Sequence, residues 1–147
     1  MELNQKIATL YEKDTPKAYE NLKALELVSE KNNLLYPYFD DFLAMLKSEK
    51  YVIRVRGFRL LCKQAQWDNE NKINSSIDDI LNALHDEKPT AVRQYLQYLA
   101  CIVPYKKELC NLIKEKTLSI DLSNFKDTMQ PLITKDIQHL LQLIETQ

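Results

Sequence analysis

The residues with the most obvious chemical capacity in this sequence are two pairs of adjacent aspartates. Asp40-Asp41 and Asp78-Asp79 are residue types that can bind a metal ion or act as general acid and base. Both pairs lie in segments with helical periodicity, and adjacent side chains on a helix point about 100° apart. One pair therefore cannot surround a single ion well. We expect four solvated acids on helix surfaces.

Histidine and cysteine give little more support for catalysis. His85 and His139 are the only histidines, and neither has a cysteine or carboxylate at a recurring ligand spacing. Cys62, Cys101 and Cys110 have no CxxC spacing, which favours reduced thiols in a cytosolic core over a metal carrier that needs all three to converge. No catalytic, phosphate-binding or zinc-binding motif occurs. We expect no enzyme, no metal and no cofactor.

The placement of arginine is more informative. Arg56, Arg59 and Lys63 share one face of a predicted helix, at spacings of three and four residues. These cations could form a basic groove that binds an acidic partner or a nucleic-acid backbone. The sequence contains four arginines in all: Arg54, Arg56, Arg59 and Arg93.

A structural role is the competing interpretation for two of these arginines. Arg56 and Arg93 could pair with nearby acids, such as Glu49 and Glu87, and so hold a turn against its helix. We favour this structural role for both. Arginines in this role would be unavailable to a partner.

Aromatic residues lie close to the basic stripe. We expect Tyr95 to face the core and Trp67 to be half exposed at a helix end. The sequence leaves undecided whether Tyr98 faces the core or solvent. Aromatic residues beside arginine are enriched at binding hot spots and can also stack on bases. The candidate partner-binding residues are therefore Arg56, Arg59, Lys63, Trp67 and Arg93.

The chain that positions these residues is predicted to be all-α. Its 147 residues are 45% apolar and 28% charged and include one glycine, which leaves almost no tight hairpin turns for β-structure. Apolar residues recur at helical spacing, and prolines lie near helix starts. A looser segment covers about residues 119–128, with one turn near Phe125. We predict helices over about 3–13, 16–31, 37–47, 51–67, 72–85, 89–104, 105–118 and 131–145.

The middle of the chain repeats itself. Residues 40–50 align with residues 78–88 at an offset of 38, and Val55-Arg56 then aligns with Val92-Arg93 at an offset of 37. Outer helices share a 4-3-3 spacing of apolar residues, which is weaker support because any amphipathic helix can show it. We predict one domain over residues 1–147 with four helix pairs, at about 3–31, 35–67, 72–103 and 105–145.

This pattern resembles HEAT repeats, which belong to the armadillo-like class. The features that carry the resemblance are an apolar first helix, a short acidic-basic turn and a Val-Arg pair that opens the second helix. The whole chain is also similar to a family of small, uncharacterised bacterial HEAT-like proteins. The resemblance implies a right-handed α-α superhelix whose second helices line a concave face. It specifies a fold and no activity.

The repeat alignment also separates structural from optional residues. Arg59 and Lys63 align with Leu96 and Ala100, so the repeat does not require these cations and they are the better binding candidates. Gly57 lies inside a predicted helix, where glycine costs about 1 kcal/mol relative to alanine. This cost indicates close approach of a neighbouring helix or of a partner.

Charge and composition then limit the functions that the sequence favours. The net charge is −1, which argues against wholesale attraction to nucleic acid or membrane. The first residues form no apolar leader, and we expect a cytoplasmic protein. The leading interpretation is a non-catalytic scaffold that binds a protein or peptide of acidic character on its concave face. The alternative is nucleic-acid binding through the stripe of Arg56, Arg59 and Lys63, as in HEAT-like alkylation-repair glycosylases, which are longer and use an aromatic and acidic cleft.

Overall fold

The computed structural model describes residues 1–147, and the chain is all-helical with no strand. Six short 3₁₀ turns connect or extend the α-helices. The nine α-helices are α1 (Leu3–Ala8), α2 (Pro16–Lys31), α3 (Phe39–Met45), α4 (Tyr51–Lys63), α5 (Lys72–Ser75), α6 (Ile77–Asn82), α7 (Pro89–Leu99), α8 (Cys110–Leu118) and α9 (Gln130–Glu145).

Local sequence signals determine the best-predicted helix. Thr15 caps α2 by accepting a hydrogen bond from the amide of Ala18 at 3.1 Å, and Pro16 occupies the first helical position. Thr15 thereby gives the Ala18 amide a partner, and Pro16 has no amide of its own that would need one. The helix then runs to Lys31, as the sequence predicts.

Several helices are shorter than the sequence predicts. The segment predicted as one helix over 72–85 is divided at Ser76 into α5, α6 and a 3₁₀ turn. Serine has modest helix propensity and competes for the backbone, and the Ser75 hydroxyl donates to the carbonyl of Asn71. The helices predicted over 51–67 and 89–104 end as α-helix at Lys63 and Leu99.

The longer helices pack against each other in chain order. Helix α2 contacts α4, α4 contacts α7, and α7 contacts α9. Helix α1 lies on α2, α3 on α4, and α8 on α9. The apolar sides meet in one core cluster of 32 buried residues, in which the rings of Phe58 and Tyr95 are 4.5 Å apart between centroids. Tyr95 therefore faces the core, as predicted.

Gly57 marks the tightest approach between two helices. A Cβ atom at this position would lie 2.5 Å from Cβ of Met45 and 2.7 Å from the carbonyl oxygen of Phe42. Helix α4 can pack this closely on α3 only because residue 57 has no side chain. A neighbouring helix, one of the two causes expected for this glycine, accounts for it.

A buried carboxylate organises the turn between α4 and α5. Asp68 accepts hydrogen bonds from the amides of Lys72 and Ile73, both at 2.9 Å, and from the hydroxyl of Tyr36 at 2.6 Å. The ammonium of Lys106 lies 3.1 Å away. Burial opposes ionisation of Asp68, but these hydrogen bonds outweigh it and lower its pKa. The carboxylate thereby caps the short helix α5.

No helix in this fold combines the length and the apolar character that a membrane crossing needs.

Candidate partner-binding surface

Arg56 lies inside the structure. Its side chain is 3% exposed, and its guanidinium donates to the backbone carbonyls of Leu10 at 3.0 Å, Glu12 at 2.6 Å and Lys13 at 3.3 Å. Burial lowers the pKa of this guanidinium. The structural role is thus the one the geometry supports, but the expected partner Glu49 is wrong. Arg56 holds the loop after α1 against α4.

Arg93 also joins two helices that are distant in sequence. Its Nε atom lies 2.7 Å from Oδ2 of Asp136, which places the ion pair between α7 and α9. The expected pairing with Glu87 is therefore wrong. Asp136 is 43 residues away, and no local spacing in the sequence points to it.

Arg54, which the sequence left without a role, forms a second ion pair between residues distant in sequence. Its Nε and Nη2 atoms donate to both carboxylate oxygens of Asp86, at 2.9 and 3.1 Å. The same carboxylate accepts from the hydroxyl of Tyr95 at 2.9 Å. The three residues border a cavity of about 540 Å³ at the start of α4, which also contains the exposed His85.

Arg59 contacts side chains of both α2 and α7. It donates to both carboxylate oxygens of Glu26, with Nη2 at 2.7 Å and Nε at 3.2 Å, and to the side-chain oxygen of Gln94 at 3.1 Å. Its guanidinium lies 4.8 Å from the ring centre of Tyr98 and 5.9 Å from that of Tyr19. Burial alone would lower the pKa of Arg59, but Glu26 reverses the shift and raises it. These contacts fix the guanidinium at the meeting point of α2, α4 and α7.

Lys63 and Trp67 contact α2 further toward its C-terminal end. The ammonium of Lys63 is 3.0 Å from a carboxylate oxygen of Glu30. Trp67 is half-buried, as predicted, and its indole N–H donates to the carbonyl of Ser29 at 2.7 Å. These contacts hold the end of α4, and the 3₁₀ turn that follows it, against the end of α2.

The residues around Arg59 form a surface that we term the Arg59 patch. It includes a groove of about 280 Å³. At its edge, Tyr19 is 49% and Leu27 is 56% exposed, although both are large and apolar. The Arg59 patch consists of Tyr19, Lys23, Glu26, Leu27, Glu30, Arg59, Lys63 and Tyr98.

The contribution of α2 to this surface was missed in the sequence. Tyr19, Lys23 and Leu27 recur every four residues on the exposed side of α2, opposite the buried Leu22 and Leu25. A helix with apolar residues on its outer side is the signal that could have revealed the surface.

The other sequence candidates do not converge. No group of three histidine, cysteine or acidic residues is close enough to hold a metal ion. Cys62 is fully buried and Cys101 is half-buried, and burial raises the pKa of both thiols. The three thiols thus do not form the cluster that a metal carrier requires.

No protein-family model, curated protein or solved structure matches the chain. The kinship with HEAT repeats rests on the sequence features of the two central helix pairs and stays a prediction.

Proposed function

We propose that the chain is a non-catalytic scaffold of the HEAT-like type, working in the cytoplasm, which binds a protein or peptide on the common face of α2, α4 and α7. In this proposal the helix pairs form a right-handed superhelix and that face is concave. The contacts of α2 with α4, of α4 with α7 and of α7 with α9 support it, because second helices of stacked repeats contact only their neighbours.

The composition of the Arg59 patch is the observation that carries the proposal. Tyr19 and Leu27 remain about half exposed, so a partner that covers them gains the free energy of burying apolar surface. Arg59 is held between Glu26 and two aromatic rings. Rigid aromatic and arginine side chains next to exposed apolar surface are typical of the centre of a protein interface.

The same contacts disfavour the nucleic-acid alternative. Arg56 is buried, and Arg59, Lys63 and Arg93 are each paired with a carboxylate of the chain. A phosphate would have to displace Glu26, Glu30 or Asp136, leaving that carboxylate beside the bound anion. Neutralising phosphates requires cations that are free to meet them.

A capture experiment tests the proposal with two matched variants. Leu27 and Leu118 are 56% and 57% exposed, but only Leu27 lies in the Arg59 patch. A specific partner should be retained from the source proteome by the wild type and by Leu118→Arg, and lost by Leu27→Arg. Retention by all three proteins would refute a binding role for this surface.

A titration with DNA and RNA at several salt concentrations tests the alternative directly. Binding through phosphates weakens steeply as salt rises, with a slope set by the number of phosphates neutralised. We expect no such binding. A steep salt slope that Arg59→Glu abolishes would favour the nucleic-acid function instead.

A further inference from the structure

We infer that a partner of the Arg59 patch is a second copy of this chain, which docks its α2 antiparallel against the α2 of the first. This inference rests on the proposed function, since it names the occupant of the same surface.

The exposed side of α2 is a stripe whose two ends differ in charge. Tyr19, Lys23, Leu27 and Glu30 follow each other at spacings of four, four and three residues, and all four are exposed. Residues at such spacings share one face of a helix. Lys23 and Glu30 therefore flank Leu27 on opposite sides, about 10 Å apart along the axis at the usual rise per residue.

This order of charges is complementary to itself when the two helices run in opposite directions. Lys23 of each copy then meets Glu30 of the other, and Leu27 meets Leu27 at the two-fold axis. An interface of this kind is isologous, because the same surface serves both copies and every contact occurs twice. Parallel helices would instead place Lys23 against Lys23 and Glu30 against Glu30, which repel each other.

Both charged groups are available for this contact. Lys23 makes no ion pair within the chain, and its ammonium lies 5.3 Å from the ring centre of Tyr19. Glu30 is 51% exposed and accepts through one oxygen from Lys63, which leaves its second oxygen free. An incoming Lys23 can bind that oxygen without breaking the existing pair.

Burial of the apolar part of the stripe favours association of the two copies. Leu27 is 56% exposed in the isolated chain, and it loses contact with water when it meets its counterpart. A helix of 16 residues is about 24 Å long, so the interface falls at the small end of the range for specific complexes. We therefore expect a dimer that dissociates on dilution.

Charge reversal tests the inference. By sedimentation velocity over a series of concentrations, the wild type should form a dimer. Lys23→Glu and Glu30→Lys should each weaken self-association roughly tenfold or more, because each creates two like-charge contacts. Mixed in equal amounts, these two variants should form a heterodimer, because each contact between positions 23 and 30 then joins an acid to a base, one with the native polarity and one with the polarity reversed. Circular dichroism checks that each variant is folded.

Lys114→Glu provides the matched control. Lys114 is exposed on α8, away from the Arg59 patch, so the variant changes the net charge equally and should dimerise like the wild type. A wild type that is monomeric at all concentrations, or a mixture that forms no heterodimer, would overturn the inference. In that case loss of a different captured protein by Leu27→Arg would still support the proposed function.

Discussion

Arg59 on α4 and Glu26 on α2 form a two-pronged ion pair in which both carboxylate oxygens accept a hydrogen bond, at 2.7 and 3.2 Å. The side chains are only 12% and 9% exposed. Removing one partner would leave the other charge in a poorly hydrated site. The nearby pair of Lys63 and Glu30 is exposed to 21% and 51%, so water can replace either partner.

Glu26→Gln should destabilise the fold by roughly 3 kcal/mol, the lower end of the cost of breaking a buried ion pair. Glu30→Gln is the matched control and should cost about 1 kcal/mol or less, as exposed pairs do. Denaturant unfolding followed by the fluorescence of Trp67, the single tryptophan, measures both. Equal losses for the two variants would mean that burial does not set the strength of these pairs.

Gly57→Ala should destabilise the protein by about 1–3 kcal/mol, the usual cost of overpacking. Alanine would gain about 1 kcal/mol of helix propensity, but its Cβ would overlap Cβ of Met45 and the carbonyl of Phe42, and neither can rotate away. Thermal unfolding measures the change. Gln97→Ala at an exposed site on α7 should lie within about 0.5 kcal/mol of the wild type. A more stable Gly57→Ala protein would contradict the close packing of α3 and α4.

The helices of this fold could be predicted from local patterns, and their exact ends could not. Periodicity finds α2 and α9 nearly to the residue, because apolar spacing and the Thr15-Pro16 start act within a few positions. The 3₁₀ turns at the ends of other helices depend on packing that a local pattern does not contain.

The partners of the arginines lie beyond what spacing can reveal. Arg54, Arg59 and Arg93 meet acids 32, 33 and 43 residues away. Those contacts depend on how neighbouring helices stack and rotate. Spacing indicates structural roles for Arg56 and Arg93, but it can point only to acids that are close in sequence.

Acid should unfold the protein partly through Asp86. Burial opposes ionisation of this carboxyl, but hydrogen bonds from Arg54, from the amide of Lys88 and from the hydroxyl of Tyr95 prevail, so its pKa lies below the ordinary 3.8. A carboxyl whose pKa is lowered by folding contributes its full stabilisation of the fold at any pH well above its pKa in the unfolded chain. That stabilisation is lost as the pH falls through 3.8 toward the folded value.

Asp86→Asn should therefore cost roughly 2 kcal/mol at neutral pH, within the range for hydrogen bonds to charged groups, and its stability should fall less below pH 4. Denaturant midpoints from neutral pH to below the ordinary pKa of the group measure both effects. Asp78→Asn, at an exposed site, should be nearly neutral at both ends of this range. An Asp86→Asn profile parallel to that of the wild type would rule out the linkage.

Thiol labelling should distinguish the cysteines by their burial. Cys62 is 0% exposed and its pKa is raised well above 9.0 by burial, and the thiolate is the form that reacts. Cys101 is half-buried, so iodoacetamide should modify it before Cys62 in the folded protein. Mass spectrometry of peptides over time measures the order. In denaturant the two rates should converge, because both thiols are then hydrated. Labelling of Cys62 as fast as Cys101 without denaturant would show that α4 opens from the core far more often than its packing allows.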